Sequence, residues 1–358
     1  ALFRLLKTSH GERPWPEWGK EYVYRDSAAL NKLRNENRDS IIATQVTQFL
    51  FDRQWRELKM YAGTRGVSLF GDIPIYIALD SADAWAHREM LLIDNEGTPS
   101  HVSGVPPDYF SADGQLWGNP LYDWDYHEQT GYQWWIDRMR HIGRQTDLVR
   151  IDHFRGFESF WSVPYGQKTA KFGEWVPGPN ESLFEAMKKS LGELPIVAED
   201  LGVITPEVDA LRLGQGLPGM VVLQFEVGDE NFDMDSIDEN SVCYTGTHDN
   251  DTTLGWFLGT GDDTRSEQQV LESQATVLRK TGGTAESVHE DMIRLAFSSN
   301  STLAVAPMQD FLGLGSEARI NTPGTTSNNW RWRMKEGALD SAMADHVAAM
   351  VEDASRRP

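Results

Sequence analysis

The sequence predicts an α/β fold built on a parallel sheet. Three observations predict it: short apolar runs without alternating polarity, amphipathic stretches between them, and a polar residue towards the end of each run. Near-continuous apolar runs are typical of parallel strands that are buried on both faces. Because these runs alternate with helical patterns along the chain, we expect each strand to be joined to the next by a helix.

Six runs are predicted strands, and they cover residues 68–77, 147–153, 195–200, 220–226, 241–249 and 302–310. The spacing of apolar residues predicts helices at 40–64, 132–145, 181–191, 206–213, 266–281 and 285–298. We therefore expect a helical segment over residues 1–66 and a sheet-containing region over residues 67–358. Six strands fit a doubly wound sheet, whereas a closed (β/α)₈ barrel needs two more.

Each predicted strand carries a polar side chain towards its carboxyl end, and these residues are Asp72, Asp152, Glu199, Gln224, Asp249 and Gln309. Barrels and doubly wound sheets both build their binding sites at that end of the strands. The sequence therefore predicts a functional site that gathers these side chains at one edge.

Composition excludes several classes of partner. The formal net charge of −21 opposes nucleic acid or an anionic membrane as the main partner, and no apolar run approaches a membrane span. The single cysteine, Cys243, excludes an internal disulfide and a cysteine-built zinc site, and it fits a reducing cytoplasm. The 13 tryptophans favour a groove for an uncharged, ring-faced ligand such as a sugar, although a large aromatic core is the other explanation.

Two motifs resemble binding loops but lack the context that such loops need. Residues 214–219 (GQGLPG) satisfy G-x-G-x-x-G, yet they follow a predicted helix and lead into a strand, so we interpret them as a helix-to-strand turn. Residues 229–240 open like a calcium loop, but Met234 replaces the required glycine and Asn240 replaces the glutamate. We interpret this segment as a solvated acidic loop.

A glycoside-transfer site needs a cluster of carboxylates, and three of the strand-end residues could form one: Asp152, Glu199 and Asp249. Clustered carboxylates repel one another, which splits their pKa values and lets one hold a proton near neutral pH. Retaining glycoside transfer needs one carboxylate to attack and a second, about 5–5.5 Å away, to act as acid and base. The alternative is structural: buried ion pairs at strand ends, with Asp200 and Asp251 as helix caps.

Seven segments resemble the 4-α-glucanotransferases, the amylomaltase or disproportionating-enzyme family (glycoside hydrolase family 77), which is related to the α-amylases. They are GDIPIYIALDSADAW (71–85), GVPPDYFSADGQLWGNPLYDWD (104–125), VRIDHFRGFESFWSVP (149–164), LPIVAEDLGVITPEV (194–208), LPGMVVLQF (217–225), YTGTHDNDTT (244–253) and APMQDFLGLGSEARINTPGT (306–325). The resemblance runs in unbroken order through residues 2–349.

The resemblance implies a cofactor-free and metal-free (β/α)₈ barrel of the α-amylase type, of which this chain carries about six strands, the third to the eighth. Two further barrel strands and an inserted subdomain precede this part in the family, so we expect the chain to be a fragment. It also implies that residues 104–125 form a flap loop over the glucan groove. Tyr109, Phe110 and Trp117 are then candidate lid residues that exclude water.

The resemblance also assigns roles to individual residues. Asp152 would be the nucleophile, Glu199 the general acid and base, and Asp249 the stabiliser of the transition state. Arg150 would keep Asp152 ionised. The expected substrate contacts are Asp72, Gln115, Trp117, Arg150, Phe225, His248 and Asn321. For Phe225, a core position at a strand end is the alternative.

The expected activity is transfer of an α-1,4-glucan segment to the 4-hydroxyl of another glucan by retaining double displacement. The expected partners are α-1,4-glucans, malto-oligosaccharides and glucose as acceptor, with neither nucleic acid nor membrane. Two alternatives remain: an α-amylase-like hydrolase, and an inactive glucan-binding fragment. A nucleotide-binding α/β protein is a more distant one.

Overall fold

The computed structural model describes residues 1–107, 111–261 and 265–356. The chain divides into two compact units, Ala1–Leu217 and Pro218–Pro358. The boundary expected near residue 66, between a helical segment and the sheet region, stays a prediction. Within the described residues, no helix is both long and apolar enough to cross a membrane.

The helices of the first unit are α1 (Leu2–Ser9), α2 (Lys20–Val23), α3 (Ser27–Glu36), α4 (Arg38–Thr64), α5 (Ala82–Ala86), α6 (Trp124–Gln129), α7 (Gln133–Gln145), α8 (Glu181–Leu191) and α9 (Pro206–Gly214). Its strands are β1 (Phe70–Pro74), β2 (His101–Val105), β3 (Gln115–Pro120), β4 (Leu148–Asp152), β5 (Ser159–Pro164), β6 (Glu174–Pro177) and β7 (Ile196–Ala198). Single 3₁₀ turns lie at Trp15–Glu17, Arg88–Met90 and Phe154–Phe157.

The helices of the second unit are α10 (Leu223–Glu226), α11 (Thr253–Leu258), α12 (Glu267–Thr281), α13 (Val288–Ser298), α14 (Met308–Phe311) and α15 (Ser341–Asp353). Its strands are β8 (Gly219–Val222), β9 (Ser241–Tyr244) and β10 (Leu303–Val305). Residues 214–219 join α9 to β8, so the interpretation of the glycine-rich motif as a helix-to-strand turn is confirmed.

Each unit contains a three-stranded parallel sheet. In the first unit the order is β1–β4–β7, with Asp72 opposite Arg150 and Ile151 opposite Ala198. In the second unit the order is β10–β9–β8. These strands are the six that the apolar runs predict, so the parallel arrangement is confirmed.

The strands are shorter than predicted, which changes where some polar residues lie. Asp72 is in the middle of β1 and not at its end. The run 220–226 leaves the sheet after β8, and its last four residues form the helical turn α10. Asp249 lies in the loop beyond β9, and Gln309 lies in α14. In the second unit, pairing stops at Val222, Tyr244 and Val305, and the backbone then leaves the sheet.

The first unit also contains an antiparallel sheet that the sequence does not predict, with the order β3–β2–β5–β6. Residues 115–120 of the expected flap loop form strand β3, and the position of residues 104–125 over a glucan groove stays a prediction. Two of the expected lid residues, Tyr109 and Phe110, lie outside the described residues.

Aromatic side chains form much of the core of the first unit. Helices α7 and α8 pack Trp135 and Phe184 against it, and Tyr122, Phe154 and Phe157 are also fully buried. Burying one such side chain contributes roughly 1.5–3 kcal/mol to folding. Part of the high aromatic content is therefore core, as one of the two compositional explanations expects.

The second unit has its own apolar core, in which Leu223, Phe257, Val277 and Met292 are buried between β8, β9 and the helices α11 to α13. Helix α12 begins with a capping box, in which the Ser266 hydroxyl accepts from the N–H of Gln269 and the Gln269 side chain accepts from the N–H of Ser266. These contacts fix where the helix starts.

Candidate active site

Strand β4 carries a buried arginine that holds two carboxylates. Arg150 is only 6% exposed, and its Nη1 donates to Asp72 Oδ2 at 2.7 Å while its Nη2 donates to Asp152 Oδ1 at 2.8 Å. Asp72 and Arg150 are directly opposite each other in the sheet, and Asp152 is two residues further along β4, on the same face. The sheet register alone therefore brings the three side chains together.

Charge balance keeps this arginine ionised despite its burial. Burial lowers the pKa of Arg150, but the negative charges of Asp72 and Asp152 outweigh that effect and leave the pKa raised. A guanidinium that is fixed between two carboxylates orients both of them, because it presents two N–H groups in a rigid plane.

Glu199 follows β7, and the backbone holds it on both sides. Its carboxylate accepts from the N–H of His153 at 2.7 Å through Oε2 and from the N–H of Leu201 at 3.0 Å through Oε1. Its own N–H donates to the carbonyl of Ile151 at 3.1 Å. These contacts lock the position of the carboxyl group relative to the end of β4.

Burial and, to a lesser extent, the nearby negative charge of Asp152 raise the pKa of Glu199 to about 7. The positive charge of Arg150 and the two backbone N–H groups oppose the shift. A carboxyl group with this pKa can donate and accept a proton near neutral pH, as a general acid and base must.

His153 is a part of the site that the sequence analysis does not include. It adopts a left-handed backbone conformation (φ 58°), which turns its N–H towards Glu199. Its ring is buried, and burial together with the charge of Arg155 lowers the pKa of His153 to about 3. The ring is therefore neutral at pH 7. A left-handed backbone at a residue other than glycine cannot be read from residue type, so the sequence carries little signal for this role.

Strand β3 brings Trp117 to the same region. The Trp117 ring meets the His153 ring edge to face, with 4.7 Å between the centroids, and its Nε1 donates to Gln115 Oε1 at 3.2 Å. Trp117 is partly exposed. Two of the predicted contact residues therefore lie on a strand of the antiparallel sheet, where pairing with β2 fixes them.

In the second unit, Asp249 is held by the segment that follows α14. Asn321 Nδ2 donates to Asp249 Oδ1 at 2.6 Å, and Arg319 Nη2 donates to its backbone carbonyl at 2.8 Å. The Nε2 atom of His248 lies 3.6 Å from Asp249 Oδ2. Asn321, which the sequence predicts as a substrate contact, thus holds the orientation of this carboxylate.

The loop that carries His248 and Asp249 is anchored at both ends by one buried carboxylate. Asp310 is 1% exposed and accepts from the hydroxyl of Thr245 at 2.7 Å. It also accepts from the N–H and the hydroxyl of Thr253, each at 2.8 Å. Thr245 follows β9 and Thr253 begins α11, so these bonds fix the loop between them.

Phe225 lies on the α10 turn with 59% of its surface exposed, so the alternative that it is a core aromatic is wrong. The structural alternative makes Asp200 a helix cap, but Asp200 forms an ion pair with Arg212 at 3.0 Å and α9 begins after Thr205. Of the predicted site residues, the first unit carries Asp72, Gln115, Trp117, Arg150, Asp152 and Glu199, and the second carries Phe225, His248, Asp249 and Asn321.

Comparison with known proteins agrees with this chemistry. The family model for 4-alpha-glucanotransferase, glycoside hydrolase family 77, matches residues 1–340. A 4-alpha-glucanotransferase from Synechocystis sp. is 47% identical over 100% of this chain and 70% of its own length. One from Thermus thermophilus is 45% identical over 99% of this chain and 72% of its own length.

A solved structure, amylomaltase from Streptococcus agalactiae in complex with acarbose, superposes with a TM-score of 0.92 at 35% identity. The match covers 99% of this chain and 71% of that one. It confirms the predicted fold class, a portion of a (β/α)₈ barrel of the α-amylase type.

Proposed function

The chain belongs to the 4-alpha-glucanotransferase family, and from this membership we propose how its own residues carry out the reaction. The activity is the transfer of a segment of one α-1,4-glucan to another glucan. The proposal concerns the roles of Asp152, Glu199 and Asp249, and the observation that supports it best is the unequal environment of the first two.

In the first step, Asp152 attacks the anomeric carbon of the glucan and forms a covalent glycosyl ester. Glu199 donates its proton to the glycosidic oxygen that leaves, so the released glucan ends in a 4-hydroxyl. Asp152 is suited to attack because Arg150 compensates its charge and fixes its direction. Glu199 is suited to donate because burial favours its protonated form.

In the second step, the 4-hydroxyl of an incoming glucan attacks the anomeric carbon. Glu199, now ionised, takes the proton of that hydroxyl, and the bond from the sugar to Asp152 breaks. Both carboxyl groups return to their first state, and the new linkage keeps the α configuration. We propose glucose and malto-oligosaccharides as acceptors in this step.

Asp249 is proposed to hydrogen-bond sugar hydroxyls as positive charge builds at the anomeric carbon. The amide of Asn321 supports this role because it leaves Asp249 Oδ2 to face a ligand and His248. Gln115, Trp117, Phe225 and Asp72 stay proposed substrate contacts. We also propose a role in starch or glycogen metabolism and a location in the cytoplasm. The single cysteine supports that location, and cell fractionation would test it.

The test is to incubate the chain with maltotriose and to separate the products by length. Glucose together with maltotetraose and longer chains supports transfer, and Asp152→Asn should abolish them. Asp345→Asn, an exposed position on α15, is the matched control and should leave the products unchanged. Glucose and maltose without longer chains would support the hydrolase instead, and an unchanged substrate would contradict the proposed catalytic roles.

A further inference from the structure

We propose that Trp330 is a substrate-contacting residue, which offers the face of its indole to one glucose ring of the glucan beside His248. The inference rests on the proposed function, because it takes the neighbourhood of Asp249 as the place where the glucan binds. The observations behind it are the exposure of Trp330, its backbone conformation and its contact with His248.

Trp330 is the most exposed of the 13 tryptophans, with 64% of its surface accessible. Other tryptophans, such as Trp15 and Trp135, are completely buried in the core of the first unit. A tryptophan is costly to leave in water, since its ring is large and apolar. The exposure leaves the face of this ring available to a ligand.

The backbone at Trp330 is in the left-handed region, with φ at 60°. Bulky residues rarely adopt this conformation, and where they do the surrounding structure must impose it. Such strain concentrates at binding sites, where it directs a side chain to a place that relaxed backbone would not reach.

The segment that ends at Trp330 is closed by its own hydrogen bonds, which explains how the strain persists. The N–H of Trp330 donates to the carbonyl of Ile320 at 2.7 Å. Asn329 bridges the interior, because its Oδ1 accepts from the N–H of Thr322 at 3.0 Å and its Nδ2 donates to the carbonyl of Thr325 at 3.1 Å. The indole is thus presented by a braced loop.

The same segment connects Trp330 to the proposed glucan site. Arg319 and Asn321, at its start, bind Asp249, and the ring of Trp330 at its end lies 5.2 Å from the ring of His248, tilted by 43°. An indole face suits the apolar C–H face of a glucose ring, while His248 and Asp249 suit its hydroxyl edge. An apolar ring face beside polar side chains fits an uncharged ring ligand such as a sugar.

The test compares Trp330→Ala with Trp330→Phe in the full chain. We expect Trp330→Ala to raise the KM for maltoheptaose about tenfold with a smaller change in kcat, and Trp330→Phe to restore most of the loss. Leu339→Ala, another exposed apolar residue of the second unit, is the control and should change neither constant. An unchanged KM in Trp330→Ala, or a loss confined to kcat, would overturn the inference.

Binding measured without turnover separates this inference from the proposed mechanism. In an Asp152→Asn background, calorimetric titration with maltoheptaose should show about tenfold weaker binding for Trp330→Ala than for Trp330→Phe. A wild-type chain that binds maltoheptaose but transfers nothing would contradict the catalytic roles and leave this comparison intact. Equal binding by the two variants would overturn the role of Trp330 even if transfer is normal.

Discussion

Replacing Glu199 by glutamine should stabilise the protein, and should do so more at alkaline pH. The pKa of Glu199 is raised from an ordinary 4.5 to about 7, chiefly because burial disfavours its ionised form. One pKa unit corresponds to about 1.4 kcal/mol, so ionising this side chain in the folded protein costs about 3 kcal/mol more than in the unfolded chain. Glutamine has the same shape and never ionises.

The sign of the pH dependence follows from which state, folded or unfolded, releases the proton of Glu199 at the lower pH. Below pH 4.5 the carboxyl group is protonated in both states, and its stabilising contribution is fully present. Between pH 4.5 and 7 the unfolded chain releases the proton first, so the free energy of unfolding of the wild type falls as the pH rises. Between pH 5.5 and pH 8 this loss amounts to about 2 kcal/mol, and Glu199→Gln avoids it.

The substitution also has a cost that does not depend on pH. The carboxylate accepts from the N–H groups of His153 and Leu201, and an amide side chain can satisfy only one of them. A lost hydrogen bond of this kind costs about 1 kcal/mol. The pH-dependent difference between the two proteins, and not its value at a single pH, is therefore the quantity to measure.

The assay is thermal unfolding of wild type and Glu199→Gln at pH 5.5 and pH 8. About 2 kcal/mol corresponds to a relative gain in Tm of about 4–8 °C for the variant at the higher pH. Glu185→Gln, an exposed position on α8, is the control and should show no such pH-dependent gain. A Tm difference for Glu199→Gln that is the same at both pH values would refute the argument that ionisation of Glu199 is costly in the fold.

Three further substitutions test other contacts. Arg150→Lys replaces a planar group that binds two carboxylates by a single point charge, so kcat should fall about 10- to 100-fold. A wild-type kcat would contradict the argument that Arg150 orients both carboxylates. Asp310→Ala leaves three buried donors of Thr245 and Thr253 unsatisfied, and should lower the free energy of unfolding by about 3 kcal/mol or more. Denaturant unfolding measures this loss, and a value below about 1 kcal/mol would contradict the role of Asp310 in holding the loop. Gly178→Ala places its methyl group against the carbonyl of Phe157 and should lower the Tm. The control is Gly143→Ala, in open space on α7, where helix propensity should add up to about 1 kcal/mol to the free energy of unfolding and the Tm should not fall. Equal Tm changes in the two variants would refute the packing argument.

The parallel strands could be predicted because burial on both faces leaves a direct trace in the sequence. Strands such as β7 (Ile196–Ala198) and β9 (Ser241–Tyr244) are buried at every position and nearly all their residues are apolar, so no alternation competes with that pattern. Helix α8 was predicted over its full length, Glu181–Leu191, because its apolar spacing is regular and a glycine follows it.

The antiparallel sheet could not be predicted from the sequence. Strand β2 contains a glycine, and β3 contains a glycine and a proline. Strand β2 also pairs with β5, which lies more than fifty positions away in the sequence. Strand signals of this kind are weak because the pairing partner decides the outcome more than the local residues do. Gln115 and Trp117 lie on a strand because β3 pairs with β2.

The chemistry of the candidate site was predicted in kind but not in its details. Residue types identify Asp152 and Glu199 as carboxylates near strand ends, and the resemblance assigns their roles. Neither reveals that His153 adopts a left-handed conformation and donates its N–H to Glu199, or that Trp330 is strained and exposed. The conformation of His153 depends on Glu199, which is distant in the sequence, and that of Trp330 depends on the hydrogen bonds that close its own loop.

Asp152 and Glu199 have different proposed roles because the cation Arg150 binds the first and not the second. Asp72, Asp152 and Glu199 lie within the electrostatic reach of one buried cation, Arg150, whose two N–H groups are directed at the first two. Among the described residues, Glu199 accepts only from backbone N–H groups. Because its charge is buried and lacks such a cation, the pKa of Glu199 is raised to about 7.

This arrangement determines which residue can attack and which can protonate. A nucleophile must present one oxygen in a fixed direction, and the guanidinium of Arg150, 2.8 Å from Asp152 Oδ1, holds the Asp152 carboxylate in that way. An acid must hold a proton that it can release and recover within one cycle, which requires a pKa near the working pH. Exchanging the two roles would need the guanidinium to move from Asp152 to Glu199, and its hydrogen bond to Asp72, directly opposite in the sheet, opposes that movement.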